Sequence, residues 1–300
     1  MRFAEMARGT IKPHYFFRPT QLARRIAWRL RRESVDRVTV RLPWGMSIRC
    51  FAGDAIGLSL QQLGVFDLGV AEVLWRLADP GELALDVGAN IGQMTALLAR
   101  RTGAAGRVLA FEPNDEVRAE LAHNVELWRS AAGVAAIDIS AAALSDHDGE
   151  GELLLPPSYE WNRGVAEVAG PGSTGRGERR RIHLARLDTF VLDGARVGVM
   201  KLDVEGHEPA VLRGGQSLLA EHRVRDVVYE DHERYPSAVS RMLEHHGYRI
   251  LAVGAGFWGP RVGPPGGSSL VASWESPSFL ATLDPDRARA RLRPRGWRVL

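Results

Sequence analysis

The sequence predicts an α/β fold, a doubly wound Rossmann-like sheet behind a small helix and hairpin appendage. Two observations carry this. From Gly81 onward, short apolar runs alternate with amphipathic stretches through glycine-containing turns. The first of those runs, Leu83 to Val87, feeds directly into Gly88-Ala-Asn-Ile-Gly92, a strand-to-helix turn of nucleotide-binding type.

Taken in order, Thr20 to Glu33 reads as an amphipathic helix with Thr20 as N-cap and Leu22, Ile26 and Leu30 on one stripe. Its two readings are a terminal helix covering the domain or a subunit, and a peripheral contact with an anionic membrane. Val38 to Leu42 and Met46 to Phe51 alternate in polarity around Pro43-Trp-Gly45, as a hairpin does, and Val70 to Ala78 follows as a helix. Residues 1–80 are thus an appendage. The domain proper, 81–276, begins with a strand at Leu83 to Val87, a helix at Thr95 to Arg101 and a strand at Arg107 to Phe111. It continues with a helix at Asp115 to Trp128 and a strand at Ala135 to Ala143. Between Pro156 and Arg181 glycine, proline and a charged run leave little to bury, so this stretch reads as a mobile insert. Strands at Val197 to Leu202, Val224 to Tyr229 and Tyr248 to Val253 enclose helices at Pro209 to Glu221 and Ala238 to His246. Ser269 to Ser273 closes the sheet, and residues 277–300 form an Arg- and Pro-rich tail with Trp297 as a loose anchor.

Composition narrows the function classes. The chain has 300 residues, of which 45% are apolar and 25% charged, enough for one large core. Its longest apolar runs fall far short of the roughly 20 residues a spanning helix needs. The N-terminus has no apolar stretch ending in a small-residue cleavage site, so the expected location is cytoplasmic. Cys50 is the only cysteine, which excludes an intramolecular disulfide and a Cys-rich zinc site, and its strand-like setting suggests burial. Lys12 and Lys201 are the only lysines. The arginines cluster at the chain ends rather than interleaving with aromatics around the turn, which disfavours nucleic acid as a partner.

At the turn, Gly88 and Gly92 let the backbone pass close to a ligand, and Asn90 is one of the few other residues that tolerates the left-handed region. Glu112 ends the second strand about 20 residues on, where a ribose-binding carboxylate belongs. A dinucleotide site keeps a further spaced glycine for its pyrophosphate. Here that position is Asn90, so a methionine-derived cofactor without phosphate fits better than NAD.

These blocks resemble the FkbM family of S-adenosylmethionine-dependent methyltransferases. The resemblance rests on Asp86-Val-Gly-Ala-Asn-Ile-Gly92, Phe111-Glu-Pro113, His123-Asn124, Ala143-Leu-Ser-Asp146, Leu187-Asp-Thr-Phe190 and Lys201-Leu-Asp-Val-Glu-Gly-His-Glu208 with Val211-Leu-Arg-Gly-Gly215, in matching order. It covers about residues 81–251. It implies a seven-stranded class I methyltransferase sheet and methyl transfer, usually to oxygen, on a natural product, sugar or polysaccharide. Carried over, Asp86, Gly88, Asn90 and Gly92 would line the methionine part, Glu112 would hold the ribose, and Ser145 or Asp146 would lie near the adenine. The insert before Leu187 is longer than the family pattern.

Val197 to Leu202 presents Asp203, Glu205, His207 and Glu208 at its carboxyl end, where ligands bind in open α/β sheets. Methyl transfer from a sulfonium needs positioning and a base for the hydroxyl proton, and Asp203, Glu205 and His207 are the candidates. Each has a structural reading as a turn or capping residue, and Glu208 reads as a surface or first-turn charge. With Glu230, Asp231 and His232 the same cluster could ligate a divalent metal, although carboxylate-rich strand ends occur as readily without one. Two competing readings are an NAD-dependent oxidoreductase and a non-catalytic scaffold.

Overall fold

The structure, a computed structural model, describes residues 12–30, 36–170, 175–266 and 277–300. The described chain opens with α1 (Pro13–Phe17) and α2 (Pro19–Leu30), then a hairpin of β1 (Arg37–Arg41) and β2 (Ser47–Phe51) in register from Arg37 opposite Phe51 to Arg41 opposite Ser47. Residues 31–33 of the expected first helix lie outside the described residues. A helix that the sequence reading lacks follows, α3 (Ala55–Leu63). Asp54 caps it by accepting from the Gly57 amide at 2.6 Å, and Gly64 ends it at φ 84°. Gly57 and Ser59 weaken its helix propensity, and tertiary contact overrides them: a Cβ at Gly57 would overlap the Phe51 carbonyl of β2. Next is α4 (Leu68–Leu77), capped by Asp67.

The doubly wound part begins with β3 (Leu83–Val87), α5 (Gln93–Thr102), β4 (Arg107–Phe111), α6 (Asp115–Trp128) and β5 (Ala136–Ser140). The expected single strand from Ala135 to Ala143 is divided. The chain turns at Ala142, whose amide donates to the Ser140 hydroxyl, and β6 (Ala143–Ser145) joins a side sheet with β7 (Gly149–Leu155), β8 (Glu167–Val168) and β9 (Glu178–Arg186) in the order β6-β9-β7-β8. The supposed mobile insert therefore supplies strands. Its charged run is the start of β9, where Ile182 and Leu184 turn inward while Arg179 pairs with Glu152 of β7 and Arg180 with Asp115 of α6. A strand needs only one apolar face, and the alternation provides it.

The chain continues through β10 (Val197–Leu202), α7 (Glu208–Gly214), α8 (Gln216–Ala220), β11 (Val224–Glu230), α9 (Ala238–His245), β12 (Arg249–Gly256), β13 (Gly259–Gly263), β14 (Ser278–Thr282) and α10 (Pro285–Leu292). The helix expected from Pro209 to Glu221 is broken into α7 and α8 at Gly215. The expected closing strand Ser269 to Ser273 lies outside the described residues, and β14, which falls in the segment expected to be a tail, pairs with β11 and β12.

Among the described residues the central sheet has eight strands rather than seven, in the order β13-β12-β14-β11-β10-β3-β4-β5, because the β12–β13 hairpin adds an edge strand. The run from β11 to β5 is parallel, whereas β14 is antiparallel to both neighbours. Every residue of β10 and β14 is buried, as strands covered on both faces require. Alternation splits the side chains between two cores: Ala84, Val199 and Val228 pack with α4, α5 and the hairpin, while Val87, Met200 and Tyr229 pack with α7 and α9.

The C-terminal residues are held firmly. Arg76 of α4 donates to the Pro294 and Gly296 carbonyls at 2.7 and 2.6 Å, its partner Glu72 accepts from the Arg298 and Val299 amides, and Trp297 is buried. Cys50 is buried on β2 as expected, and burial pushes its thiol up to about 12. No described helix is long and apolar enough to cross a membrane.

Candidate functional site

The parallel strands end along one edge of the sheet, and a cleft opens there. After β3 the chain makes the glycine turn, in which Gly88 and Ala89 donate their amides to the Phe111 carbonyl at the end of β4. Gly88 has φ 77°, and a Cβ there would overlap the Asp203 carbonyl, so only glycine lets the turns after β3 and β10 lie against each other. Asn90 adopts φ 50° and donates its amide to Glu112 Oε2 at 2.9 Å. The other carboxylate oxygen, Oε1, accepts from the Asn114 amide at 2.9 Å. Glu112 thus stands at the cleft wall, braced by backbone on both sides. Its burial raises the carboxyl to about 7, an effect that those two amides and Lys201 only partly offset.

Gly88, Asn90 and Glu112 line the cleft, whereas the other proposed cofactor residues do not. Asp86 is fully buried behind the turn: its Oδ2 accepts from the Thr95 hydroxyl at 2.5 Å, its Oδ1 has no hydrogen-bond partner, and burial raises its carboxyl despite Lys201. Gly92 faces α6, where a Cβ would collide with Leu121 and Trp128, so this glycine serves helix packing. Ser145 and Asp146 lie off the cleft as well. The Ser145 hydroxyl sits 3.0 Å from His207 Nε2, and Asp146 lies 2.8 Å from His147 Nδ1 and accepts from Arg213 Nε at 2.9 Å, two contacts that hold its carboxyl down at about 2.

The opposite wall is the loop after β10. Glu205 and Gly206 take φ 50° and 90°, and the Val204 amide donates to Glu208 Oε1 at 3.0 Å. Glu208 is thus the first-turn charge that one of its two readings gave, but a buried brace and not a surface charge. Asp203, Glu205 and His207 all border the cleft. Asp203 pairs with Lys201 Nζ at 3.2 Å. Glu205, half-buried, meets His232 Nε2 at 3.3 Å; burial and then Asp203 push its carboxyl up to about 7, and His232 pulls the other way. Burial also lowers the His207 imidazole. Among the described residues, no group of three or more His, Cys, Asp or Glu is arranged to hold a metal ion.

Lys201 stands at the head of the block that carries Asp203 to Glu208, and the sequence pattern assigns it no role. Its ammonium donates to the Gly88 carbonyl at 2.6 Å and lies 3.8 Å from Asp86, tying the two turns together. Burial opposes its charge, but Asp203 and Asp86 prevail and hold the ammonium above its ordinary value. The signal was available, since a lysine inside an otherwise apolar central strand is seldom there without a partner. Gln93 clamps the Phe66 backbone from both sides at 2.8 Å, and Asn162 and Arg163 reach the cleft from the supposed insert. No local pattern could place those two, because only the side sheet brings them there.

Residues 86–250 match the methyltransferase FkbM domain. The chain belongs to the FkbM methyltransferase family. Among its relatives is the AMB antimetabolite synthetase AmbE of Pseudomonas aeruginosa, 29% identical over 57% of this chain and 10% of that one. Another is the hexuronic acid methyltransferase AglP of Haloferax volcanii, 28% identical over 58% of this chain and 66% of that one. The chain therefore spans less than two thirds of the length of either relative. Among solved structures, the methyltransferase FkbM from Methylobacillus flagellatus is similar with a TM-score of 0.43 and 14% identity, covering 74% of this chain and 52% of that one. Within the FkbM match lie the glycine turn, Glu112 and the loop of Asp203 to Glu208.

Proposed function

We propose that this chain transfers the methyl group of S-adenosylmethionine to a hydroxyl of a sugar, polysaccharide or natural product. The observation that carries this reading is one cleft at the carboxyl edge of the sheet with Glu112 on one wall and Asp203 and Glu205 on the other. Family membership favours it over an oxidoreductase or a scaffold, and the name of AglP favours a sugar acceptor.

The residues fit the cofactor. Each Glu112 oxygen accepts one amide hydrogen and keeps a lone pair for a ribose hydroxyl. Gly88 and Asn90 bring the backbone alongside, and Ile91, Met94, Ala143 and Leu144 give apolar surface for the uncharged parts. When bound, S-adenosylmethionine supplies an electrophilic methyl group on a good leaving group. The chain must then hold an acceptor oxygen in line and take its proton. We assign the proton to Glu205, whose carboxyl near 7 suits a base at neutral pH. Asp203, ion-paired with Lys201, fixes the loop against the glycine turn. His207, turned toward Ser145, supports that loop from behind.

The test is calorimetric titration with S-adenosylmethionine, S-adenosylhomocysteine and NAD, each with and without magnesium, followed by a radiolabelled methyl-transfer screen of hydroxylated glycans. Micromolar binding of the two methionine-derived ligands and label in a glycan hydroxyl are expected. Binding of NAD alone would overturn the reading.

A further inference from the structure

Of the apolar stripe of α2, the two members whose side chains are described face outward. Gln21 is buried against α3, donating to the Gln61 carbonyl at 3.0 Å, while Leu22 and Ile26 are 38% and 53% exposed. A helix that served only to cover the domain would bury those two.

They continue a larger apolar surface. Strands β11 and β12 are both antiparallel to β14, so β12 ends at the same edge as β3, β4, β10 and β11, and its turn with β13 places Phe257 and Trp258 there. Trp258 is 54% exposed and meets Phe16, 59% exposed, at 5.5 Å between ring centroids. Phe66 borders the cleft, and exposed Trp161 adjoins Asn162 and Arg163, which also border it. Single exposed apolar residues are ordinary. A set gathered around a cleft mouth marks a binding surface.

Charge selects the occupant. Basic residues outnumber acidic ones nine to two between Lys12 and Arg41. Burial, with Arg24 and Arg41 nearby, disfavours the charge of Arg18, no carboxylate pairs with these three among the described residues, and one terminal nitrogen of Arg18 has no hydrogen-bond partner there. In a twofold pairing with a second copy, such a like-charged surface would meet its own duplicate. Nucleic acid would answer the arginines but not Leu22 and Ile26. Aromatic rings at headgroup level beside arginines that meet lipid phosphates are what an anionic bilayer accommodates.

We propose that the face built from α1, α2 and the β12–β13 turn docks on an anionic phospholipid surface, bringing the cleft mouth to the membrane. This stands apart from the methyl-transfer reading. The test is co-sedimentation of the full chain with vesicles of phosphatidylcholine alone and of equimolar phosphatidylcholine and phosphatidylglycerol. Partitioning onto the anionic vesicles only, weakened by salt, is expected, with about a tenfold loss in the Leu22→Glu/Ile26→Glu double variant and in Trp258→Ser. Leu192→Ser, exposed in the turn that precedes β10 at the opposite edge, should leave it unchanged. Unaltered melting temperatures separate lost docking from lost folding. No partitioning by the unmodified chain, equal partitioning by all variants, or a dimer that the double variant dissociates in place of vesicle binding would each overturn the proposal.

Discussion

Glu112 and Glu205 face each other across the cleft with their carboxyls near 7, yet burial raises them for different ends. Glu112 accepts hydrogen bonds best when ionised. Replacing it with Ala is expected to weaken S-adenosylmethionine binding by about 1 to 3 kcal/mol in calorimetry, and unchanged affinity would remove it from the ribose site. Glu205 can accept a proton only when ionised, so turnover should fall as pH drops through about 7, and the loss should be complete well below it. Glu205→Gln is expected to lower kcat by about 10²- to 10⁴-fold and abolish that pH limb while leaving cofactor affinity nearly unchanged. Survival of the limb in this variant would transfer the base role elsewhere. Both carboxylates were legible because each ends or follows an apolar run, the position where open sheets bind ligands. Gly92 and Ser145 were legible as motif members only. What each glycine or hydroxyl touches depends on a partner distant in sequence, α6 for one and His207, just before α7, for the other.

Among the elements, the two turns at the cleft depend on contact between segments more than a hundred residues apart. A methyl at Gly88 would strike the Asp203 carbonyl and force an L residue into φ 77°. Gly88→Ala should therefore cost about 1 to 3 kcal/mol in denaturant unfolding and reduce cofactor binding with it. The C-terminal segment makes a similar case. Deleting residues 294–300 would take the Arg298 and Val299 amides from buried Glu72 and the Pro294 and Gly296 carbonyls from buried Arg76, leaving the pair each other and the Arg291 and Leu292 carbonyls. A loss of about 3 to 5 kcal/mol is expected, seen as a lower urea midpoint. A truncation with an unchanged midpoint would show that the segment is the loose tail its composition suggested. Arginine and proline gave that impression because composition reports what solvates a segment but not which buried groups await its backbone.

At the scale of the whole molecule, one sheet carries a core on each face, and the hairpin, α4 and the C-terminal segment all contribute to the same cluster. Unfolding should accordingly follow a single transition by both circular dichroism and tryptophan fluorescence, and separated transitions would mark the N-terminal elements as an independent unit. The sequence alone determined the alternation of strand and helix: Leu83–Val87, Arg107–Phe111, Asp115–Trp128 and Val197–Leu202 stand where their apolar patterns place them. It also determined the glycine turn and the carboxylates beside it. These are local properties, written in the periodicity of one segment and the backbone freedom of one residue. Tertiary structure decided which side of α2 faces outward, that the charged run after Gly177 becomes a strand, that Ser278 to Thr282 joins the sheet as β14, and that Lys201 binds the two turns together. The physical reason is that burial and pairing are properties of two segments at once, and neither segment alone records its partner.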